Sequence, residues 1–191
     1  MQRAIPHEEP LPGDLAMWLF ICAELAAFGL FFVGFSVARW HLPMQFAEGQ
    51  AGLDRLSGLI NTLLLIAGSW AVARSVVAIG QGASLRCARW LWAGFGLGGL
   101  FVLNKLMEYS HTLGAGITLS TNTFYSLYLI LTLFHFFHVL LGMVILAAVA
   151  IKARRGGYSV EDHHGVETAA SYWHMVDLVW IVLFPLVYVL R

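Results

Sequence analysis

The chain has 191 residues, of which 59 % are apolar and 12 % are charged, and its formal net charge is zero. A water-soluble domain carries about 25 % charged residues, so this composition excludes an ordinary soluble domain and predicts a membrane protein. A neutral chain also offers no electrostatic basis for binding nucleic acid. Its two cysteines, Cys22 in an apolar segment and Cys87 in a basic one, indicate neither a disulfide framework nor a cysteine metal site.

Five apolar segments are each long enough to cross a hydrocarbon core of about 30 Å. In chain order they cover residues 15–37, 59–79, 90–106, 124–151 and 169–190. They predict an all-α fold, a polytopic helix bundle that makes residues 1–191 a single membrane domain. Asp14 is the predicted N-cap of the first helix. The tripeptide SVA at 36–38 resembles a cleavage site. The N-terminal stretch nevertheless lacks the pattern of a signal peptide, so we expect this helix to be retained.

The loops between the spans predict the orientation of the chain, because cytoplasmic segments are enriched in lysine and arginine. One side would hold Arg3, Arg74, Arg86, Arg89, Lys152, Arg154 and Arg155, and the other Arg39, Arg55, Lys105 and Arg191. This bias predicts a cytoplasmic N-terminus and a C-terminus on the opposite side. EGQAGLDR and RRGGYSVEDHHG are predicted to be surface loops, and Tyr109 and Tyr188 near span ends are predicted interfacial anchors.

Ionisable residues inside the predicted spans are functional candidates, because burying them in hydrocarbon is costly. Glu24 lies near the middle of the first span, in FICAELAAF. Two interpretations are open for it: a proton relay or recognition of a partner, and a protonated acid bonded to a neighbouring helix. Lys105 and Glu108 are one turn apart near the outer end of the third span and can form an ion pair. We expect that pair to lie at the interface, with the lysine extending towards water.

His135 and His138 are one turn apart in LTLFHFFHVLLG, near the middle of the fourth span. Two histidines at this spacing can bind a metal, but they need further ligands, and this span has no carboxylate. The pattern favours a hydrogen-bonding patch between helices, helped by Tyr128 and Thr132.

The fifth span carries Glu167, His174 and Asp177, which share a helical face with His163 if the helix extends inwards. This patch could bind a cation, transfer protons or join helices, and the last interpretation is favoured. Four other residues in the second and third spans are predicted to be ordinary close-packing devices: Asn61, Ser69, Gly94 and Gly98.

Several of these segments resemble subunit III of the haem-copper oxidases. HHGVETAASYWHMVDLVWIVLFPLVYV is similar to the final helix of that subunit, although Met175 stands where the family has Phe. FHFFHVLLGMVIL, MWLFICAEL, LINTLLLIAGSW and NKLMEY resemble four further segments, and the matches follow the family order over residues 13–190. The chain resembles the five-span form, which lacks the first two helices of longer members. PGDLAMWLFICAEL and STNTFYSLYL look most like the NorE-type branch, which is linked to bacterial nitric oxide reductase.

The resemblance implies a subunit that holds no haem or copper and has no catalytic residue or metal site. Subunit III packs beside the catalytic subunit in the bacterial inner membrane, carries ordered phospholipid in a cleft between helices, and supports proton uptake and turnover lifetime. By the same resemblance, Glu24 matches the family's buried, carbodiimide-reactive glutamate. The other signature positions are matched by His135, His138, Glu167, His174 and Asp177. The missing helices wall one side of the lipid cleft, so bound phospholipid is less firmly implied for a five-span chain.

The leading functional hypothesis is a non-catalytic accessory subunit of a bacterial haem-copper oxidase superfamily complex. Its partner would be a nitric oxide reductase or a terminal oxidase, and it would support assembly, stability and proton uptake in respiratory electron transport. Five spans are too few for a binuclear centre. The first alternative is a haem b anchor that uses His138 and His174 as ligands. The second is a proton-coupled transporter that uses Glu24 and the His135–His138 pair, although no inverted repeat is visible.

Overall fold

The computed structural model describes residues 15–190, so the predicted cap Asp14 and the charges of Arg3 and Arg191 lie outside the described residues. Six α-helices and one π-helical turn form this part of the chain, which contains no strand. The helices are α1 (Leu15–His41), α2 (Pro43–Ala51), α3 (Arg55–Gly80), α4 (Ser84–Gly114), α5 (Thr123–Arg154) and α6 (His164–Phe184), and the π-helical turn is Pro185–Val189.

Five of these helices, all except α2, are long and apolar enough to cross a membrane, with α6 continuing through the π-helical turn. The prediction of an all-α bundle with five spans is therefore confirmed. Each helix begins or ends outside its predicted apolar segment, and at the start of α3 and of α5 a capping side chain sets the boundary. The Asp54 carboxylate accepts hydrogen bonds from Leu56 N at 2.9 Å and Ser57 N at 3.2 Å, which starts α3 at Arg55. The Asn122 side chain caps α5 in the same way.

The segment EGQAGLDR is not entirely a surface loop, because its first four residues belong to α2. Pro43 occupies the first turn of this helix, where its missing N–H costs nothing. The ring of Phe46 is buried against Phe124 of α5, with 5.4 Å between ring centroids. Gln50 donates to the carbonyl oxygen of Val187 at 3.0 Å and so joins α2 to the π-helical turn. Sequence patterns missed α2 because it is short and only one side of it is apolar.

α3, α4, α5 and α6 pack around a common core, and α1 lies against α5 and α6. The centre of this core is Trp173, whose side chain is fully buried. Glycines make room for it: a Cβ atom placed on Gly98 would lie 2.7 Å from the indole, and one on Gly142 would lie 3.0 Å away. A Cβ atom on Gly94 would lie 2.9 Å from Val72. Gly94 and Gly98 are therefore close-packing residues, as predicted.

The two polar residues predicted to be close-packing devices have a different role. The side-chain oxygen of Asn61 accepts a hydrogen bond from Asn104 of α4 at 2.9 Å, and the same amide group donates to the Ser57 hydroxyl at 3.0 Å. Ser69 bonds to His174 of α6. Within the membrane these side chains join helices by hydrogen bonds as well as allowing close contact, because lipid offers them no alternative partner.

Replacing Gly98 by alanine should destabilise the bundle by about 1–3 kcal/mol, the usual range for overpacking a tight core. The added methyl group would meet the Trp173 indole. Gly96→Ala is the matched control on the same helix, because a Cβ atom there has nothing within 4 Å. Thermal unfolding in detergent should show a lower midpoint for Gly98→Ala only. Equal midpoints for the two variants would contradict the packing described above.

Candidate functional site

Glu24 and His138 form a pair between α1 and α5. The carboxylate oxygen Oε2 of Glu24 lies 3.0 Å from Nε2 of His138, and the side chains are 20 % and 11 % exposed. The other ring nitrogen, Nδ1, lies 2.7 Å from the Phe134 carbonyl oxygen. A carbonyl only accepts, so Nδ1 carries a hydrogen, and Nε2 either accepts from a protonated Glu24 or donates to its carboxylate. Both arrangements hold one proton between Glu24 and His138.

His135 points in another direction, although it is one turn from His138. Its Nε2 donates to the carbonyl oxygen of Val176 in α6 at 3.0 Å. The ring is fully buried between Phe101 and Trp180, with centroid distances of 5.7 and 5.0 Å. The two histidines therefore bond to different helices instead of converging on one ligand. Thr132 and Tyr128 do not support them: Thr132 bonds within its own helix and the Tyr128 hydroxyl bonds to Glu108.

Lys105 and Glu108 form an ion pair with 2.9 Å between Nζ and Oε1. The expectation that the lysine extends towards water is wrong, because Lys105 is 0 % exposed and lies inside the bundle. Two tyrosine hydroxyls, of Tyr128 and Tyr188, each donate to the same Glu108 oxygen at 2.5 Å. Lys105 Nζ also donates to the Tyr188 hydroxyl at 2.6 Å.

Aromatic rings complete this buried cluster. Lys105 Nζ lies 5.0–5.6 Å from the ring centroids of Tyr109, Tyr128, Trp180 and Tyr188, within the range of cation–π attraction. Tyr109 and Tyr188 are therefore buried parts of a polar cluster and not interfacial anchors. Their position near span ends suggested an interfacial role, and only tertiary packing shows that they face inwards.

His174 and Asp177 join α6 to α3. Nδ1 of His174 lies 2.6 Å from the Ser69 hydroxyl and 3.8 Å from Oδ2 of Asp177. The interhelical partner of His174 is therefore Ser69 of α3, the second span. In the sequence, a serine within an apolar span looks the same whether it bonds to another helix or is only a small residue that allows close packing.

Glu167 lies at the start of α6, in the first turn, where the helix dipole favours a negative charge. Its two carboxylate oxygens lie 3.5 Å from His163 Nε2 and 3.5 Å from His164 Nδ1. The six signature residues thus occupy four places in the bundle. These are the Glu24–His138 pair, the His135–Val176 bond, the His174–Asp177 group and the Glu167 cluster.

The family model for cytochrome c oxidase subunit III matches residues 13–191. The chain belongs to the cytochrome c oxidase subunit III family. The resemblance seen in the motifs is confirmed at this level, and so is the multi-pass helical fold that it implied.

Curated relatives agree with this assignment. The chain is 37 % identical over 181 residues to cytochrome c oxidase subunit 3 of Synechocystis sp., covering 93 % of the chain and 76 % of the relative. It is 34 % identical over 185 residues to the subunit 3 of Thermostichus vulcanus, covering 96 % and 90 % respectively. The subunit 3 of Corynebacterium diphtheriae is 29 % identical over 192 residues, covering 100 % and 94 %. The finer resemblance to the NorE-type branch stays a prediction.

The chemistry of this subunit III member lies in hydrogen bonds between helices. Among residues 15–190, no three His, Cys, Asp or Glu side chains are placed to hold a metal ion together. Haem ligation by His138 would require one of its ring nitrogens to leave Phe134 or Glu24. The bonds made by Glu24, His135 and His174 each join two helices and so contribute to the cohesion of the bundle.

Replacing Lys105 by methionine should destabilise the protein by about 3–5 kcal/mol, because Glu108 would keep a buried charge without its cation. The double variant Lys105→Met, Glu108→Gln removes both charges and should regain most of that loss. Chemical unfolding in detergent micelles measures both. A double variant that is less stable than Lys105→Met would show that the pair does not function as a unit.

Proposed function

We propose that the chain is a non-catalytic accessory subunit of a bacterial haem-copper oxidase complex, where it supports assembly, stability and proton uptake. The observation that carries this proposal is that ionisable groups of the spans form hydrogen bonds inside the bundle. In the described spans, His135, His138 and Lys105 bond to other helices or to buried side chains of the same bundle. Because these bonds fix the helices relative to one another, the bundle is suited to stabilising a neighbouring catalytic subunit.

The contribution to proton uptake is assigned to Glu24 and His138. A carboxyl group and an imidazole 3.0 Å apart can pass a proton between them without moving their helices. Both side chains are slightly exposed at the surface of the bundle, so the proton can be exchanged with a neighbour. The fully buried His135 lacks that access.

The proposed partner is the catalytic subunit of a terminal oxidase. The name of each curated relative supports this choice, since all are cytochrome c oxidase subunits. The segments PGDLAMWLFICAEL and STNTFYSLYL support a nitric oxide reductase of the NorE-type system as the second candidate, with a role in denitrification. Membrane phospholipid is the proposed non-protein ligand in both cases.

The proposed location is the bacterial inner membrane, with a cytoplasmic N-terminus and a periplasmic C-terminus. The loops that join α3 to α4 and α5 to α6 lie on one side of the bundle. They are flanked by most of the lysine and arginine residues: Arg74, Arg86, Arg89, Lys152, Arg154 and Arg155. Burial of Lys105 removes one positive charge from the opposite side and so strengthens the bias.

Affinity purification in mild detergent tests the partner. The chain, tagged at its C-terminus, would be isolated from cells grown with oxygen and from cells grown with nitrate. We expect the haem-bearing subunit of a terminal oxidase to co-purify, and protease added to intact spheroplasts to remove the tag. A nitric oxide reductase subunit instead would establish the NorE-type alternative. If no haem protein co-purifies under either condition, the accessory-subunit proposal is wrong.

Replacing Glu24 by alanine should leave membrane insertion intact but impair assembly or sustained turnover of the partner, because the α1–α5 bond is lost. Glu24→Gln separates packing from proton exchange. Its amide can still donate to His138 Nε2 but cannot share a proton, so assembly should recover and sustained turnover should not. Glu161→Gln, on an exposed loop residue, is the control. Normal turnover in Glu24→Gln would exclude a proton role for this residue.

A further inference from the structure

One polar group of the bundle faces outwards at the middle of the membrane. The last span covers His164–Val189, and His174 and Asp177 lie near its midpoint. Their partner Ser69 is near the midpoint of α3, so the depth is the same on both helices. The His174 side chain is 40 % exposed, whereas Asp177 is almost entirely buried beside it.

The hydrogen bonding of this group is incomplete. Ser69 occupies Nδ1 of His174, and the Nε2 of this ring has no hydrogen-bond partner within residues 15–190. The carboxylate oxygen Oδ2 of Asp177 lies 3.8 Å from Nδ1 of the same imidazole, which is too long for a hydrogen bond. An imidazole and a carboxylate at mid-membrane depth therefore each have hydrogen-bonding capacity that the bundle does not use.

Lipid cannot supply the missing partner. Acyl chains have no hydrogen-bonding groups, and phospholipid headgroups lie about 15 Å away, at the edge of a hydrocarbon core about 30 Å thick. Ionisable side chains at this depth almost always face protein or a water-filled cavity. The surrounding surface is apolar and exposed, as Leu178 and Ile181 show, which fits a covering helix better than an aqueous cavity.

We infer that a transmembrane helix of the catalytic subunit docks on the outward face of α6, which comprises His174, Asp177 and Leu178. This inference rests on the proposed function and adds the surface that the partner uses. Complementarity to the exposed Nε2 of His174, and to the carboxylate beside it, requires that the docking helix presents a hydrogen-bonding side chain at mid-membrane depth. Its apolar side chains cover Leu178 on the same side of α6.

The exposed face of α5 provides the contrast. Phe137 is 63 % exposed and Val144 is 65 % exposed, and Leu141 lies between them on the same side of the helix. No ionisable group accompanies these residues, so lipid satisfies this surface completely. We therefore expect the α6 face to contact the catalytic subunit in the complex and the α5 face to contact lipid.

Site-specific photo-crosslinking distinguishes them in the whole complex in native membranes. A benzophenone amino acid at position 178 should form an adduct with the haem-bearing subunit, and one at position 137 should not. The docking inference is overturned if position 178 gives only lipid adducts or a dimer of this chain while the complex still co-purifies, or if the adduct forms from position 137. Wild-type chain that captures no haem subunit would overturn the proposed function itself, and this inference with it.

Substitution of the polar groups gives an independent test. His174→Leu should reduce the amount of co-purified haem subunit at least tenfold, because the docking helix would lose its hydrogen bond to the exposed Nε2 of the imidazole. Ser69→Ala is the matched control, since it removes the same internal hydrogen bond and keeps the imidazole. It should retain the partner. An equal loss in both variants would assign His174 to the stability of the bundle alone and would contradict the docking role.

Discussion

A polar group in the membrane-spanning part of this chain can find a hydrogen-bond partner only in protein or bound water, because hydrocarbon offers none. This constraint organises the bundle. Three ionisable residues of the spans join their helix to another part of the bundle. Glu24 attaches α1 to α5, His135 attaches α5 to α6, and Lys105 attaches α4 to the π-helical turn. Apolar packing alone would allow several arrangements of the helices in lipid. These few hydrogen bonds favour one of them.

The same constraint applies to His174, whose hydrogen bonding within the bundle is incomplete. His174 resembles the other ionisable residues in depth and in having an interhelical bond, and differs in being well exposed. Glu24 and His138, which are slightly exposed, have satisfied each other. A comparison of the two sites separates a pair that is complete within the subunit from one that requires a neighbour. The proposed proton exchange and the inferred docking therefore involve different side chains.

The number and type of the long helices could be predicted from the sequence, because a run of about twenty apolar residues indicates a transmembrane helix. The ionisable candidates were also visible, since each interrupts an apolar run. Their partners were not. Ser69 and Tyr188 are ordinary residues in an apolar span, and nothing local shows that one bonds to His174 and the other to Lys105. α2 was missed because its stability depends on Phe46 packing against another helix.

The order in which the chain is made gives the spacing of Lys105 and Glu108 a second significance. Of the five spans, α4 has the lowest hydropathy, so it is the hardest to transfer from the translocon into lipid. Tyr188, which completes the lysine's hydrogen bonds, follows 83 residues later. Until it arrives, the carboxylate one turn away is the neutralising partner that α4 carries within itself. The i, i+3 pair thus allows a helix that carries a lysine to enter the bilayer before Tyr188, which completes the hydrogen bonds of that lysine, has been synthesised.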